Sequence, residues 1–336
     1  MQKKSKKIII LGIFIFFLFL ILALFLITPP RPSKITWAAD FSIKHSINMG
    51  LDWKENYSAI LDDLRVKKLR VSTYWDLLEP ERDQCNFADL DWQIAQAKDR
   101  NVNILLVVGM KTPRWPECHI PAWASGLSKE DQQTRILILL EKIVSRYSDS
   151  KNPNSISAWQ VENEPFFSFG ECLWSDEEFL KREVNLVRNM DVQKRPVVIT
   201  DSGEGSSWIK AAKIGDIVGT TMYRKVWFKQ YSRYISYPFS PLFYWLKSQF
   251  IENVYKKKVV VAELQTEPWC PDLLYDCSMT EQNKTMNLEK FKNMIAFAQK
   301  TGFDEYYLWG SEWWYWLKTR QNDSRIWNEA RQLFEQ

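Results

Sequence analysis

The feature that most restricts the fold is an alternation repeated eight times. From residue 35 onward, short β-branched or aliphatic runs alternate with longer amphipathic stretches. The expected strands are Ile35–Phe41, Lys68–Tyr74, Asn103–Gly109, Ile156–Val161, Pro196–Thr200, Asp216–Tyr223, Lys258–Glu263 and Glu305–Trp309. The expected helices are Trp53–Leu64, Leu90–Arg100, Lys129–Tyr147, Asp176–Asn189, Ser206–Ile214, Pro241–Tyr255, Glu281–Lys300 and Ser324–Phe334. Apolar residues recur at three and four in TRILILLEKIVSRY, the stripe of a helix packed on a core. ILLVV and VVVA are instead continuous hydrophobes, as in strands covered on both faces. This order implies a parallel α/β architecture. Eight units in about 300 residues suit a closed (β/α)8 TIM barrel. The rival doubly wound sheet needs a glycine-rich turn after an early strand. FSIKHSINMG, after the first strand, has none, and Ser202-Gly203-Glu204-Gly205 puts an acid where a phosphate would sit.

The chain begins differently. Residues 8–27, IIILGIFIFFLFLILALFLI, contain no polar side chain. Such a run gives about 30 Å of helix, enough to cross a bilayer core. Four lysines precede it, which places the N-terminus in the cytoplasm. The run ends in Ile27-Thr28-Pro29-Pro30, with no small-x-small cleavage site. The expected organisation is a basic cytoplasmic flank at 1–7, an uncleaved transmembrane signal anchor at 8–27, a Pro-rich linker at 28–34 and an extracytoplasmic barrel at 35–336. With the six basic residues of the first 34 set aside, the 45 basic residues fall to 39, against 41 acidic. The body therefore offers no basic stripe for nucleic acid. His45 and His119 are the two histidines, too few for a multi-histidine metal centre. No metal or organic cofactor is expected. Outside the cell, disulfides persist. Cys270 with Cys277, and Cys118 with Cys172, are candidate pairs that leave Cys85 over; five free thiols is the alternative.

A barrel places its chemistry at the C-terminal ends of its strands. The fourth strand ends in Gln160-Val161-Glu162-Asn163-Glu164-Pro165 and the seventh in Val259-Val260-Val261-Ala262-Glu263. Strict alternation would point Gln160, Glu162 and Glu164 the same way. Pro165 should hold Glu164 extended. Two carboxylates facing one cavity suit glycoside hydrolysis, where one donates a proton and the other attacks the anomeric carbon or activates water. Their proximity pushes the two pKa values apart.

Asn163-Glu164-Pro165 at the fourth strand end resembles the acid/base motif of the clan A glycoside hydrolases, the group of cellulases, mannanases and β-galactosidases. The resemblance runs from about residue 35 to residue 316. It implies a retaining enzyme on a (β/α) barrel, with Glu164 as acid/base and Glu263 on strand seven as nucleophile. Arg70 resembles the strand-two arginine that supports the nucleophile, and Asn163 the asparagine that holds the sugar 2-hydroxyl. Tyr223 matches the tyrosine bonded to the nucleophile, and Trp309 the tryptophan that floors the first subsite. TYWDLLEPERDQCNFADLDW is similar to the second strand's loop in galactosidase-type barrels. One departure is strand three, where many members place a histidine and this chain reads Val108-Gly109-Met110-Lys111; His119 is the candidate to fold back into the cleft. Glu267 rivals Glu263 as nucleophile and is otherwise expected to be a loop residue that touches substrate.

Tryptophan is abundant, at 17. Indoles cover the apolar faces of sugars while Nε1 still donates a hydrogen bond. Trp75, Trp115, Trp123, Trp174, Trp227, Trp269, Trp313, Trp314 and Trp316 fall in or near the strand-end loops and are candidate sugar contacts, most directly Trp75 and Trp115. Trp53, Trp92 and Trp327 belong to helices and the core. The expected function is a membrane-anchored retaining β-glycoside hydrolase acting on a carbohydrate. The alternatives are a carbohydrate-binding surface protein on the same barrel and an envelope transglycosylase.

Overall fold

The computed structural model describes residues 11–20, 22, 29–148 and 155–335. In chain order the strands are β1 (Thr36–Phe41), β2 (Lys68–Ser72), β3 (Asn103–Val108), β4 (Ile156–Val161), β5 (Val197–Asp201), β6 (Ile217–Met222), β7 (Lys225–Phe228), β8 (Arg233–Ser236), β9 (Lys258–Gln265) and β10 (Glu305–Trp309). All but β7 and β8 are parallel and close into an eight-stranded barrel, β1 pairing with both β10 and β2. β7 and β8 form an antiparallel hairpin between the sixth and seventh barrel strands. The sequence pattern does not set this hairpin apart from the long connection before helix Pro241–Tyr255.

The strands are hydrophobic throughout because each is covered twice. Val259, Val261 and Leu264 of β9 join the large core between barrel and helices. Ala38, Leu105, Val198 and Tyr307 form a small separate layer inside the barrel. Helices Lys129–Tyr147 and Pro241–Tyr255 occupy their expected limits. Ser128 and Asp176 cap their helices by accepting backbone N–H groups, which satisfies donors a helix start leaves open. The expected helix over 281–300 is two, Met279–Gln282 and Leu288–Ala298, because Asn287 caps a fresh start. Helix Ser311–Arg320, an aromatic-rich turn of chain after β10, was not expected.

β9 carries one extra residue. Thr220 pairs with Val261 and Thr221 with Glu263, so Ala262 has no partner of its own on β6. The register slips by one against β10 as well. Val260 lines the barrel interior, so strict alternation would turn Glu263 outward. The bulge reverses this and aims Glu263 inward, as bulges beside active sites do.

The expected anchor at 8–27 lies only partly within the described residues. Residues 11–20 are helical, with exposed apolar side chains. Among the described residues no helix is long and apolar enough to cross a membrane.

Candidate active site

Arg70, on β2, organises the floor of the cleft. Its side chain is fully buried. Nη1 donates to Glu263 Oε1 at 2.9 Å and to Asp40 Oδ1 at 2.9 Å. Nη2 donates to Asn163 Oδ1 at 2.9 Å, and Nε to Gln160 Oε1 at 2.8 Å. Burial pushes the Asp40 carboxyl well above the usual range despite Arg70. Tyr223 Oη donates to the other Glu263 oxygen at 2.8 Å. Burial and the neighbouring Glu263 push the Tyr223 phenol up, which keeps it a donor. Both oxygens of Glu263 thus accept a hydrogen bond, which fixes the carboxyl group in place.

Glu164 sits in an opposite setting. β4 ends at Val161, and the chain then turns through positive φ at Glu162 (58°) and Glu164 (41°). This corrects two expectations. Glu164 is not extended before Pro165, and Gln160, Glu162 and Glu164 do not share a face. Left-handed backbone is uncommon for glutamate and persists only where the surroundings enforce it. Here Lys111 Nζ donates to the carbonyls of Glu164 and Phe167, each at 2.9 Å. Thr200 Oγ1 accepts from the Glu164 N–H at 2.8 Å. Among the described residues, the Glu164 carboxyl receives a single long contact, from Thr221 Oγ1 at 3.3 Å. Burial, then Glu263 and Glu117, push it well above the carboxylate range. Its buried surroundings favour the protonated form.

Glu162 turns away from the cleft. Its carboxylate accepts the N–H groups of Met110 (2.8 Å) and Lys111 (2.5 Å), which fixes the loop after β3. Gly109, at φ +125°, makes room for it, since a Cβ there would lie 2.4 Å from Glu162 Oε1. Behind it stands buried Glu183, from helix Glu177–Met190. Burial and the Glu162 charge push Glu183 well above the usual range.

The other expected residues are distributed differently. His119 does not enter the cleft. Its Nδ1 lies 2.9 Å from Lys44 Nζ, its Nε2 lies 3.1 Å from the Arg114 carbonyl, and its ring packs edge-on to Tyr74. Burial and Lys44 lower it to about 3, so it stays neutral. Glu267 is buried against Arg114 and lies 3.4 Å from His45. Burial would raise it, but Arg114 and His45 hold it down at about 2. It is a counter-ion in an ion-pair network and does not reach Glu263's position. Trp309 ends β10 at the cleft, with the Arg114 guanidinium 3.7 Å above its ring. Trp75 is core: it is fully buried, and its Nε1 donates to Glu79. Trp313 and Trp314 are core for the same reason, their Nε1 groups bonded to Gln282 and to the Thr266 carbonyl. Trp115 is 46% exposed on the rim, edge-on to Phe169. Phe169 in turn meets Trp269, which packs edge-on against Tyr223. Cys118 and Cys172 are joined by a disulfide that links the loops after β3 and β4. Cys270 and Cys277 are free thiols, so that expected bridge is not formed.

Sequence reasoning missed Glu117, which sits one residue before Cys118. Asn163 Nδ2 donates to Glu117 Oε2 at 3.1 Å, and burial pushes this carboxyl up to about 8. No motif marks it, since its place depends on a loop folded over β3. It also missed Glu204, whose Oε1 accepts the Tyr223 N–H at 2.9 Å and the Tyr244 hydroxyl at 2.6 Å. Among the described residues no group of histidine, cysteine and acidic side chains could hold a metal ion.

Solved structures of similar shape carry glycosidase names. A β-galactosidase from Halorubrum lacusprofundi aligns at TM-score 0.56 and 16% identity, over 82% of this chain and 52% of that one. A family 10 endo-β-1,4-xylanase from Gloeophyllum trabeum aligns at TM-score 0.53 and 18% identity, over 84% and 85%. GH5_18 from Bifidobacterium longum aligns at TM-score 0.55 and 12% identity, over 82% and 70%. The chain shares the barrel fold of these structures. The chain spans about half the length of the galactosidase. No family model and no curated protein matches it in sequence.

Proposed function

We propose that this chain is a membrane-anchored retaining β-glycoside hydrolase that cleaves oligo- or polysaccharides outside the cytoplasm. The observation that carries the reading is the contrast between two buried carboxyls. Glu263 is gripped by Arg70 and Tyr223, whereas Glu164 is pushed toward its protonated form. That is the division of labour a double displacement requires. Glu263 attacks the anomeric carbon while the glycosidic C–O bond breaks and Glu164 gives its proton to the leaving oxygen. The result is a glycosyl ester on Glu263. Glu164, now a carboxylate, takes a proton from water as that water attacks the same carbon, which frees Glu263. Asn163, oriented by Arg70 and Glu117, suits a hydroxyl beside the reacting carbon. The aromatic rim of Trp115, Phe169 and Trp269 suits further sugar rings. The apolar run at 8–27 would hold the barrel at the membrane.

The test is covalent trapping. The chain is incubated with activated 2-deoxy-2-fluoro β-glycosides (glucoside, mannoside, galactoside, xyloside), then intact mass and peptide mapping are recorded. The expected adduct lies on Glu263 and names the first-subsite sugar. An adduct on another residue overturns the assignment of the nucleophile. Sugar binding without an adduct or turnover on any of these or on longer oligosaccharides overturns the enzyme reading.

A further inference from the structure

Helix Pro241–Tyr255 is apolar on the wrong side. Leu242, Tyr244, Ser248 and Ile251 face the barrel, as a surface helix requires. Yet Leu246, Phe250 and Val254 are 45%, 47% and 57% exposed. Their spacing of four puts them in one line along the helix, about 12 Å long. Single exposed hydrophobes are ordinary. An aligned row beside one special point of the chain is not.

That point is where the linker meets the barrel. Pro29 is buried. The Pro30 carbonyl and the Trp245 indole both press on Gly302: a Cβ there would lie 2.6 Å from Trp245 Cδ1 and 3.3 Å from Pro30 O. Trp245 immediately precedes Leu246. The apolar run ends at residue 27, and three residues span at most about 11 Å. If that run spans a bilayer, the bilayer surface lies within about this distance of Gly302 and Trp245. Exposed Arg31, Lys34, Lys256 and Lys300 lie near Pro30, Val254 and Gly302 in the chain. They suit anionic headgroups, and half-buried Trp245 and Tyr255 suit the interface.

We propose that helix Pro241–Tyr255 lies on the bilayer surface, with Leu246, Phe250 and Val254 at the boundary of headgroups and acyl chains. This rests on the membrane-anchor reading above. The barrel is then not free to swing on its linker. It is seated on the membrane along one helix, and its cleft has a set orientation to the surface.

The full chain is reconstituted into liposomes of mixed zwitterionic and anionic phospholipid, with Phe250→p-benzoylphenylalanine as a photocrosslinker. Val192→p-benzoylphenylalanine, at a site 64% exposed on another helix–strand connection, is the control. After illumination and an alkaline carbonate wash, lipid adducts are counted by mass. The expected result is severalfold more lipid adduct at position 250 than at 192. The Leu246→Glu/Val254→Glu double variant should lose that excess while keeping its turnover of a small soluble glycoside. A chain that stays in the membrane but gives equal adducts at both positions overturns the seating alone. A protein–protein adduct at 250 overturns it in favour of a contact between copies. A chain removed by the wash overturns the anchor, and the seating with it.

Discussion

Glu263 reaches the cleft from inside a barrel strand, whereas Glu164 reaches it from a turn beyond one. The first is fixed by a bulge in β9 and by Arg70 and Tyr223, whose hydrogen bonds use both its oxygens. The second rests on positive-φ backbone held by Lys111 and Thr200, and its carboxyl faces other acids. The same side chain, buried at both places, meets two hydrogen-bond donors at Glu263 and neighbouring acids at Glu164. Burial alone does not assign a role; the partners do.

Substitution at the pair has the largest expected effect. Glu263→Gln should lower kcat/KM by on the order of 10⁴-fold or more on every substrate, since no ester can form. Glu164→Gln should cost about 10²–10⁴-fold on an alkyl or sugar leaving group. It should cost far less on an activated aryl glycoside, whose departure needs no proton in the first step. Equal losses from Glu164→Gln on both substrate types would break the comparison.

Tyr223→Phe comes next. It removes one hydrogen bond to a charged carboxylate, worth about 1.5–3 kcal/mol, so a fall in kcat of roughly 10–100-fold is expected. Single-turnover kinetics should place the loss in formation of the ester.

The pH profile sharpens the contrast further. In the proposed mechanism activity needs the protonated form of Glu164, so it should fall as pH rises through that group's elevated pKa. Glu117, once ionised above its own value of about 8, raises it by its negative charge. Glu117→Gln should therefore move the alkaline limb of kcat/KM to lower pH. A limb that stays in place would show that Glu117 is electrostatically silent.

The smallest effect is on stability. Glu183 has a proton affinity that is raised in the folded chain. Its contribution is present below the ordinary carboxylate range and is lost as pH climbs toward the folded value. Glu183→Gln mimics the protonated group and should flatten the decline of Tm on the alkaline side. Glu267, held at about 2 by Arg114 and His45 after they overcome burial, has the opposite sign. Its contribution is present above its unfolded value and is lost as pH falls toward 2, so Glu267→Gln should reduce the loss of Tm in acid.

Much of the barrel was legible because local pattern and global role agree. β4 and β10 have their expected limits, and Asn163-Glu164-Pro165 stands where a buried strand stops. What could not be read depends on residues far apart in the chain. The bulge at Ala262 appears only when β6 and β10 lie beside β9. The turn at Glu164 needs Lys111 from the loop after β3 and Thr200 from β5. Trp75 and Trp115 are the same residue type in loops over the barrel, and only packing makes one core and the other rim. His119 looked available because it follows strand three, but Lys44 and the Arg114 carbonyl take up its ring nitrogens.

The odd residue in β9 also bears on how such a site can change over generations. Point substitutions around Glu263 leave its direction untouched, because backbone count sets that direction. Loss of one residue between Val259 and Ala262 would leave a plausible buried strand with the same composition, yet swing Glu263 into the layer beneath the helices. The direction of Glu263 is set by the residue count of its strand, which a single deletion changes and a substitution of a neighbour does not.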